Sequence, residues 1–205
     1  MKNQQERMIA GKLYIAEGED IVRASDKSER LTYEFNHSRH TEKARRQALL
    51  RELFGSIGKN FVVKPTFRCD YGSNIYIGDN FFANYDCMMV DVTTVHIGDN
   101  VFFGPRVHVF TAAHPIYSKV RNTNLEFGKP VKIGNSVWVG GNTVINPGVT
   151  IGSNVVIGSG SVVTRDIPDN VVAVGNPCRV IRDITDEDKI YWEKLQDEYH
   201  IDRNA

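Results

Sequence analysis

The chain carries six histidines, His37, His40, His96, His108, His114 and His200, and histidine is the side chain that can take and return a proton near neutral pH. Three of them share a local setting. His96 and His108 each precede an aliphatic of a repeat described below, and His114 occupies the equivalent slot, so all three are expected at corners of the repeat. His96 and His114 are 18 residues apart, which predicts that they stack on one corner, a rung apart. His114 also opens the one long irregular segment, AAHPIYSKVRNTNLEFGKP, and Pro115 restricts the backbone before it. This singles out His114 as a general base. Such an imidazole needs a carboxylate to hold its tautomer and stabilise its protonated form, and Glu126, in the same segment, can fold back on it. Asn84 and Asp91 fall in NYDCMMVDV, where each can either hydrogen-bond an acceptor hydroxyl or cap a turn. Gly140 and Gly141 would give a ligand access to bare backbone. Arg165, Arg179 and Arg182 lie toward the C-terminus, suited to phosphates or to a soluble cap. Cys69, Cys87 and Cys178 show neither CxxC spacing nor a zinc-finger partner, and are expected as thiols filling packing gaps.

These residues must be positioned by a repeat of period six. Aliphatics recur at Ile133, Val139, Ile145, Ile151, Ile157 and Val163, with Val137, Thr143, Val149, Val155, Ser161 and Ile167 four residues after each. Gly134, Gly140, Asn146, Gly152, Gly158 and Thr164 follow the aliphatics, mostly residues that tolerate a tight corner. The frame also runs through Ile97, Phe103 and Val109, with Val101, Val107 and Ala113 behind them, and more weakly through Ile77, Ala83 and Met89. A helix repeats its apolar face every ~3.6 residues and a strand every ~2. A period of six fits a prism: one short strand and one corner per unit, three units to a coil, each aliphatic stacked on its counterpart a coil later. Two lapses stand out. Segment 111–130 reads as an ejected loop, and eight residues between Met89 and Ile97 suggest a small bulge.

The flanks have another texture. Gln4 to Tyr14 and Asp20 to Phe35 suggest helices, Thr41 a cap for a third that ends at Gly55, and Pro168 a break in the coil. Thr185 with its acidic neighbours predicts a final helix, packed on its own prism or on a neighbour. Lys plus Arg balance Asp plus Glu at 25 each, which gives no global field for nucleic acid or anionic lipid. No apolar run approaches the ~18 residues of a membrane span. The charged start, MKNQQERMIAGKLY, is unlike a signal peptide, and the expected home is cytoplasmic.

The segments FRCDYGSNIYIGDNFFANYDCMMVDV, TAAHP, GKPVKIGNSVWVGGNTVINPGVTIG and GNPCRVIR, with YEFNHS upstream, resemble the maltose and galactoside O-acetyltransferases, hexapeptide-repeat acyltransferases, over nearly the whole chain. The resemblance implies a mainly β fold, a left-handed parallel β-helix (hexapeptide repeat) with a helical N-terminal segment at 1–58, the coil at 59–183 and a C-terminal helix at 184–205. It implies an acetyl-CoA-dependent transferase in which His114 is the base, Glu126 orients it and Asn84 stands near the reacting carbon. Acceptor contacts would fall on Asp70, Asn84 and Asp91. Cofactor contacts would fall on Asn84, Gly141, Ser159, Thr164, Arg165, Arg179 and Arg182, with no metal. A homotrimer with sites between subunits is expected, acting on a small sugar. The family's first-helix aspartate falls here on Ala16 and its arginine on Ser25, which leaves Glu17 and Arg23 as the nearest acceptor-binding candidates. Two rivals carry different tests: a zinc enzyme resembling γ-type carbonic anhydrases, using His96, His108 and His114, and a transferase for an antibiotic or amino-acid acceptor. A non-catalytic scaffold would fail to bind CoA.

Overall fold

Apolar side chains six residues apart can share one interior only if the chain bends between them, and here it bends after every short strand. A computed structural model describes residues 3–204. Strands of mostly two or three residues stack in parallel into the three walls of a column. The first wall stacks Ser56–Ile57, Ile75–Ile77, Val95–Ile97, Val131–Ile133 and Thr150–Ile151. The second stacks Val62–Val63, Phe82–Ala83, Phe102–Phe103, Trp138–Val139, Val156–Ile157 and Val171–Val174. The third stacks Phe67–Cys69, Cys87–Val90, His108–Phe110, Val144–Ile145 and Val162–Val163. Every aliphatic from Ile133 to Val163, and every side chain of the set four residues behind, is buried. Ala113, expected inside, is only partly buried because the chain has already left the column there.

The coils are not uniform. Ile75 pairs with Val95, Lys132 with Thr150 and Ile151 with Ile167, so the period shortens from 20 to 18 to 16 residues up the column. The two extra residues of the lower coils fall between the third and first walls, after Cys69 as well as after Met89. The suspected bulge is thus a wider corner built twice. Pro168 does not break the coil either, since Ile167 still bridges Ile151 and Ala173 still pairs with Ile157.

Nor are the turns made where the glycines suggested. The left-handed backbone lies two residues later, at Asn60, Asn80, Asn100, Ser136, Asn154 and Asn170. Side chains from successive coils tie this corner together: Asp79 Oδ1 accepts from the Lys59 N–H at 2.7 Å, and Asp99 Oδ1 from the Asp79 N–H at 2.7 Å. Asn80 Nδ2 donates to Asn100 Oδ1 at 2.9 Å. Gly134 is needed for a different reason, because a Cβ there would lie 2.6 Å from Ser153 Oγ and 2.7 Å from Gly152 C.

Helices close the lower end. α1 (Gln4–Ile9) is shorter than expected, and α2 (Glu19–Asn36) and α3 (Lys43–Leu53) follow it. No side-chain cap from Thr41 starts α3, which begins after Glu42. Leu31, Phe35, Leu49, Leu50, Leu53 and Phe54 join the same core as Phe61, Phe67 and Phe81. Asn36 accepts from the Phe67 N–H at 2.8 Å and donates to the Phe67 carbonyl at 2.9 Å. A short α4 (Ser118–Arg121) lies in the ejected segment. At the upper end Arg179–Asp183 turns back antiparallel on Val171–Val174, and α5 (Asp186–Asn204) follows. α5 does not pack on its own prism: Ile190, Tyr191, Trp192 and Tyr199 all remain exposed. Among the described residues no helix is long and apolar enough to cross a membrane.

If glycine serves stacking at one position and turning at another, the two should respond differently. Gly134→Ala is expected to cost about 1–3 kcal/mol by overpacking. Gly160 has φ +73° and open space around it, so Gly160→Asn should cost less than about 1 kcal/mol, asparagine being at ease there. Thermal melts at one fixed protein concentration compare them.

Candidate functional site

The ejected segment is closed at its base by an antiparallel pair, Ala112 opposite Gly128 and Ala113 opposite Phe127. The pair ends there, and His114 and Glu126 are the next residues on its two strands, where that register, carried one step on, would bring them opposite each other. Glu126 has a second neighbour. Its backbone exchanges both hydrogen bonds with Tyr14, N–H to O at 3.0 Å in each direction. The chain after α1 therefore runs beside the loop instead of continuing as helix. His114 and Glu126 share a cleft of about 430 Å³ with Ile15, Ala16, Glu17, Arg121 and Asn124. Arg121 shapes its rim, donating from Nη1 to the carbonyls of Pro115 at 3.2 Å and Ile116 at 3.0 Å.

Two aspartates stand at the wide corner below. Asp70 is half-buried, and burial first, then the charge of Glu126, pushes its carboxyl up to about 6. Asp91 is fully buried. Its Oδ1 accepts from the N–H groups of Asp70 and Tyr71 at 3.0 Å each, and the Asn74 amide donates to its backbone carbonyl at 2.7 Å. Burial pushes Asp91 up to about 7 although these N–H groups pull the other way. Asp91 thus shapes the corner that presents Asp70, and offers no surface to an acceptor. Glu17 is on the cleft, whereas Arg23 is exposed and paired with Asp20 at 2.9 Å.

The expected stack of histidines is absent. His96 is in the middle of a strand of the first wall, between Tyr76 and Lys132, pointing outward with its ring on Tyr76 at 4.9 Å. His108 belongs to the third wall, level with Met88 and Val144. Both occupy walls rather than corners, because the residue before a buried aliphatic faces outward from a strand. Among the described residues no three His, Cys, Asp or Glu side chains are grouped to hold a metal ion. Burial pushes the Cys69 thiol up, and Cys87 to about 11, which keeps both from acting as thiolates.

The remaining candidates lie elsewhere. Asn84, Gly141 and Ser159 follow strands of the second wall, at the corner leading to the third. The Gly141 carbonyl accepts from the Gly160 N–H at 2.8 Å, while its own N–H has no acceptor among the described residues. Thr164 and Arg165 top the corner that carries His114 two coils below. Arg179 is exposed, and Arg182 is held by Asp188 through two contacts of 2.6 and 2.9 Å. One chain therefore brings His114, Glu126 and Glu17 together, but leaves Asn84, Gly141 and Ser159 a full wall away. Tyr14, Arg121 and Asn124 were not anticipated. Only the cross-chain register shows Tyr14, which lies 112 positions before its partner.

Residues 7–58 match the maltose acetyltransferase hexapeptide capping motif, and residues 130–165 match the bacterial transferase hexapeptide of six repeats. The galactoside O-acetyltransferase of Escherichia coli is 49% identical over 92% of this chain and 93% of its own length. A maltose O-acetyltransferase structure from Clostridium difficile is 53% identical, with a TM-score of 0.88 over 89% of this chain and 98% of that one. A galactoside acetyltransferase in complex with coenzyme A superposes with a TM-score of 0.89 at 48% identity, over 92% of this chain and 94% of that one. The column is the left-handed parallel β-helix of these proteins.

The raised carboxyls set a pH dependence. Their folded values exceed the ordinary ~3.9 of an aspartate, so the stability they contribute is present at low pH and is lost as pH rises from about 4 to about 7. Asp91→Asn removes the larger share. Its melting temperature, relative to the parent protein, should rise between pH 5 and pH 8, and a fall over that interval would contradict this account.

Proposed function

Since this chain belongs to the family of maltose- and galactoside-type hexapeptide O-acetyltransferases, we propose that it moves the acetyl group of acetyl-CoA to a hydroxyl of a small sugar, with His114 as general base. The observation that carries the reading is that His114 and Glu126, each the residue next to the paired Ala112–Ala113 and Phe127–Gly128, line one cleft with Ile15, Ala16 and Glu17. His114 takes the proton of the acceptor hydroxyl as the oxygen attacks the thioester carbonyl. Glu126 steadies the imidazolium. A free backbone N–H at Gly141 is suited to the developing oxyanion. When the carbon–sulfur bond breaks, the imidazolium returns its proton to the departing CoA sulfur. No cysteine participates. Glu17, Arg121, Asn124 and Asp70 supply the mixed donors and acceptors that a polyol needs.

The wall that separates His114 from Asn84, Gly141 and Ser159 supports a site completed by a second copy, and the homotrimer is the assembly we propose. The CoA groove would then run along a corner of one subunit. Gly141 and Ser159 would leave its backbone open, Arg165 would reach the phosphates from the His114 corner of the adjoining subunit, and Arg182 would be available only by leaving Asp188.

Thiol release from acetyl-CoA, measured against maltose, glucose, galactosides, serine and chloramphenicol, tests the acceptor. Turnover with serine or chloramphenicol alone would replace the sugar reading. His114→Ala should lose about a hundredfold or more, and retention of over a tenth of the rate would remove His114 as the base. For the shared site, Asn84→Ala and His114→Ala chains, each inactive, are refolded together in equal amounts. About a quarter of the parental rate should return if each site draws one corner from each of two subunits; no return would place the whole site within one chain.

A further inference from the structure

The hydroxyl of Tyr14 is a buried side-chain polar atom with no hydrogen-bond partner among the described residues. Tyr14 is 1% exposed, in a small core of its own with Met8, Ile21, Tyr71 and Val92. Leaving a phenol hydroxyl unmatched there costs about 1–3 kcal/mol, so its position calls for a reason. The backbone supplies one. Tyr14 and Glu126 are a hydrogen-bonded cross-strand pair, which sets their Cβ atoms roughly 5 Å apart on one face. On the other side of the Glu126 segment, the strand Ala112–Ala113 ends one residue before His114, which lines the same cleft as Glu126.

We propose that Tyr14 is a positioning residue for Glu126: its hydroxyl is the reserved donor that holds one carboxylate oxygen of Glu126 while the other meets the His114 imidazolium. The inference rests on the roles given to His114 and Glu126 above. It explains why the hydroxyl is kept where packing alone would favour phenylalanine. The titratable groups facing the phenol are Glu126, Tyr71 and Asp70; burial, then the charge of Glu126, pushes the hydroxyl up, and the approach of the Glu126 carboxylate to the hydroxyl adds to this, which keeps it a donor at every working pH. Glu17, Arg121 and Glu126 share the cleft with His114. Two charged forms, carboxylate and imidazolium, are thereby fixed by one neutral group that never titrates in range.

Tyr14→Phe removes one oxygen and keeps the ring. The melting temperature should change little, since the ring stays packed and one hydrogen bond to Glu126 is all that is lost. With an acceptor on which the parent protein turns over, kcat should fall about five- to tenfold while KM for acetyl-CoA holds. The acidic limb of the kcat/KM profile should move to lower pH, since an unsteadied Glu126 stabilises the imidazolium less. In a Glu126→Gln background the same change should have little further effect. Four results would overturn the proposal: kcat within twofold with an unmoved profile, a rise in acceptor KM alone, an equal loss in the Glu126→Gln background, or a drop in melting temperature that tracks the lost rate. A parent protein inactive on every acceptor, or an active His114→Ala, would instead remove the underlying reading of the site.

Discussion

A coil of eighteen or so residues must turn three times, and the most demanding turns are those at which the backbone enters the left-handed region without glycine, as it does at Asn60, Asn80 and Asn100 and, one corner on, at Asp86, Arg106 and Asn142. Asparagine bears this better than other side chains, and it stands at five of the six stacked positions from Asn60 to Asn170. Each such corner is also a hydrogen-bonding rung, because an Asp, Asn or Ser from one coil accepts the N–H of the coil below. Register is therefore held at the corner as well as along the walls. With register fixed, every apolar side chain falls above another, and the loop leaves the column at one defined height.

That explains how much of the fold was legible. Six-residue periodicity is a local property of the chain, so Ile133 through Val163 announced the interior directly. The length of each coil is not local. The wide corner after Cys69 and after Met89 follows from which residues stack, and a period extrapolated from the regular upper coils misplaced the relation between His96 and His114. The same extrapolation confused the two jobs of the I-G-D-N corner. In it the glycine admits the next coil and the asparagine makes the turn.

The site divides the same way. His114 and Glu126 could be singled out from sequence because they bracket one insertion, and the antiparallel pairing of Ala112–Ala113 with Phe127–Gly128 brings both to one cleft. Tyr14 could not, since nothing in a stretch ending a short helix tells which distant strand it will flank. Asp91 was visible as a polar residue at a corner, but its burial beneath the N–H groups of Asp70 and Tyr71 depends on the wide turn. Chemistry-bearing residues were recognisable by type, and their division between two corners emerged only once the walls were built.

A column of parallel strands has two raw faces, each able to accept another coil without limit, and such faces are templates for runaway fibre growth. Here both are blunted. Below, the side chain of Asn36 occupies the donor and acceptor of Phe67 that a further strand would seek. Above, Arg179–Asp183 meets the last coil in the opposite direction, with every one of its residues exposed and two of them arginines. Reversal of direction helps end the stack: the outer edge it presents runs against the coil and carries charged side chains, which a further identical coil would have to accommodate.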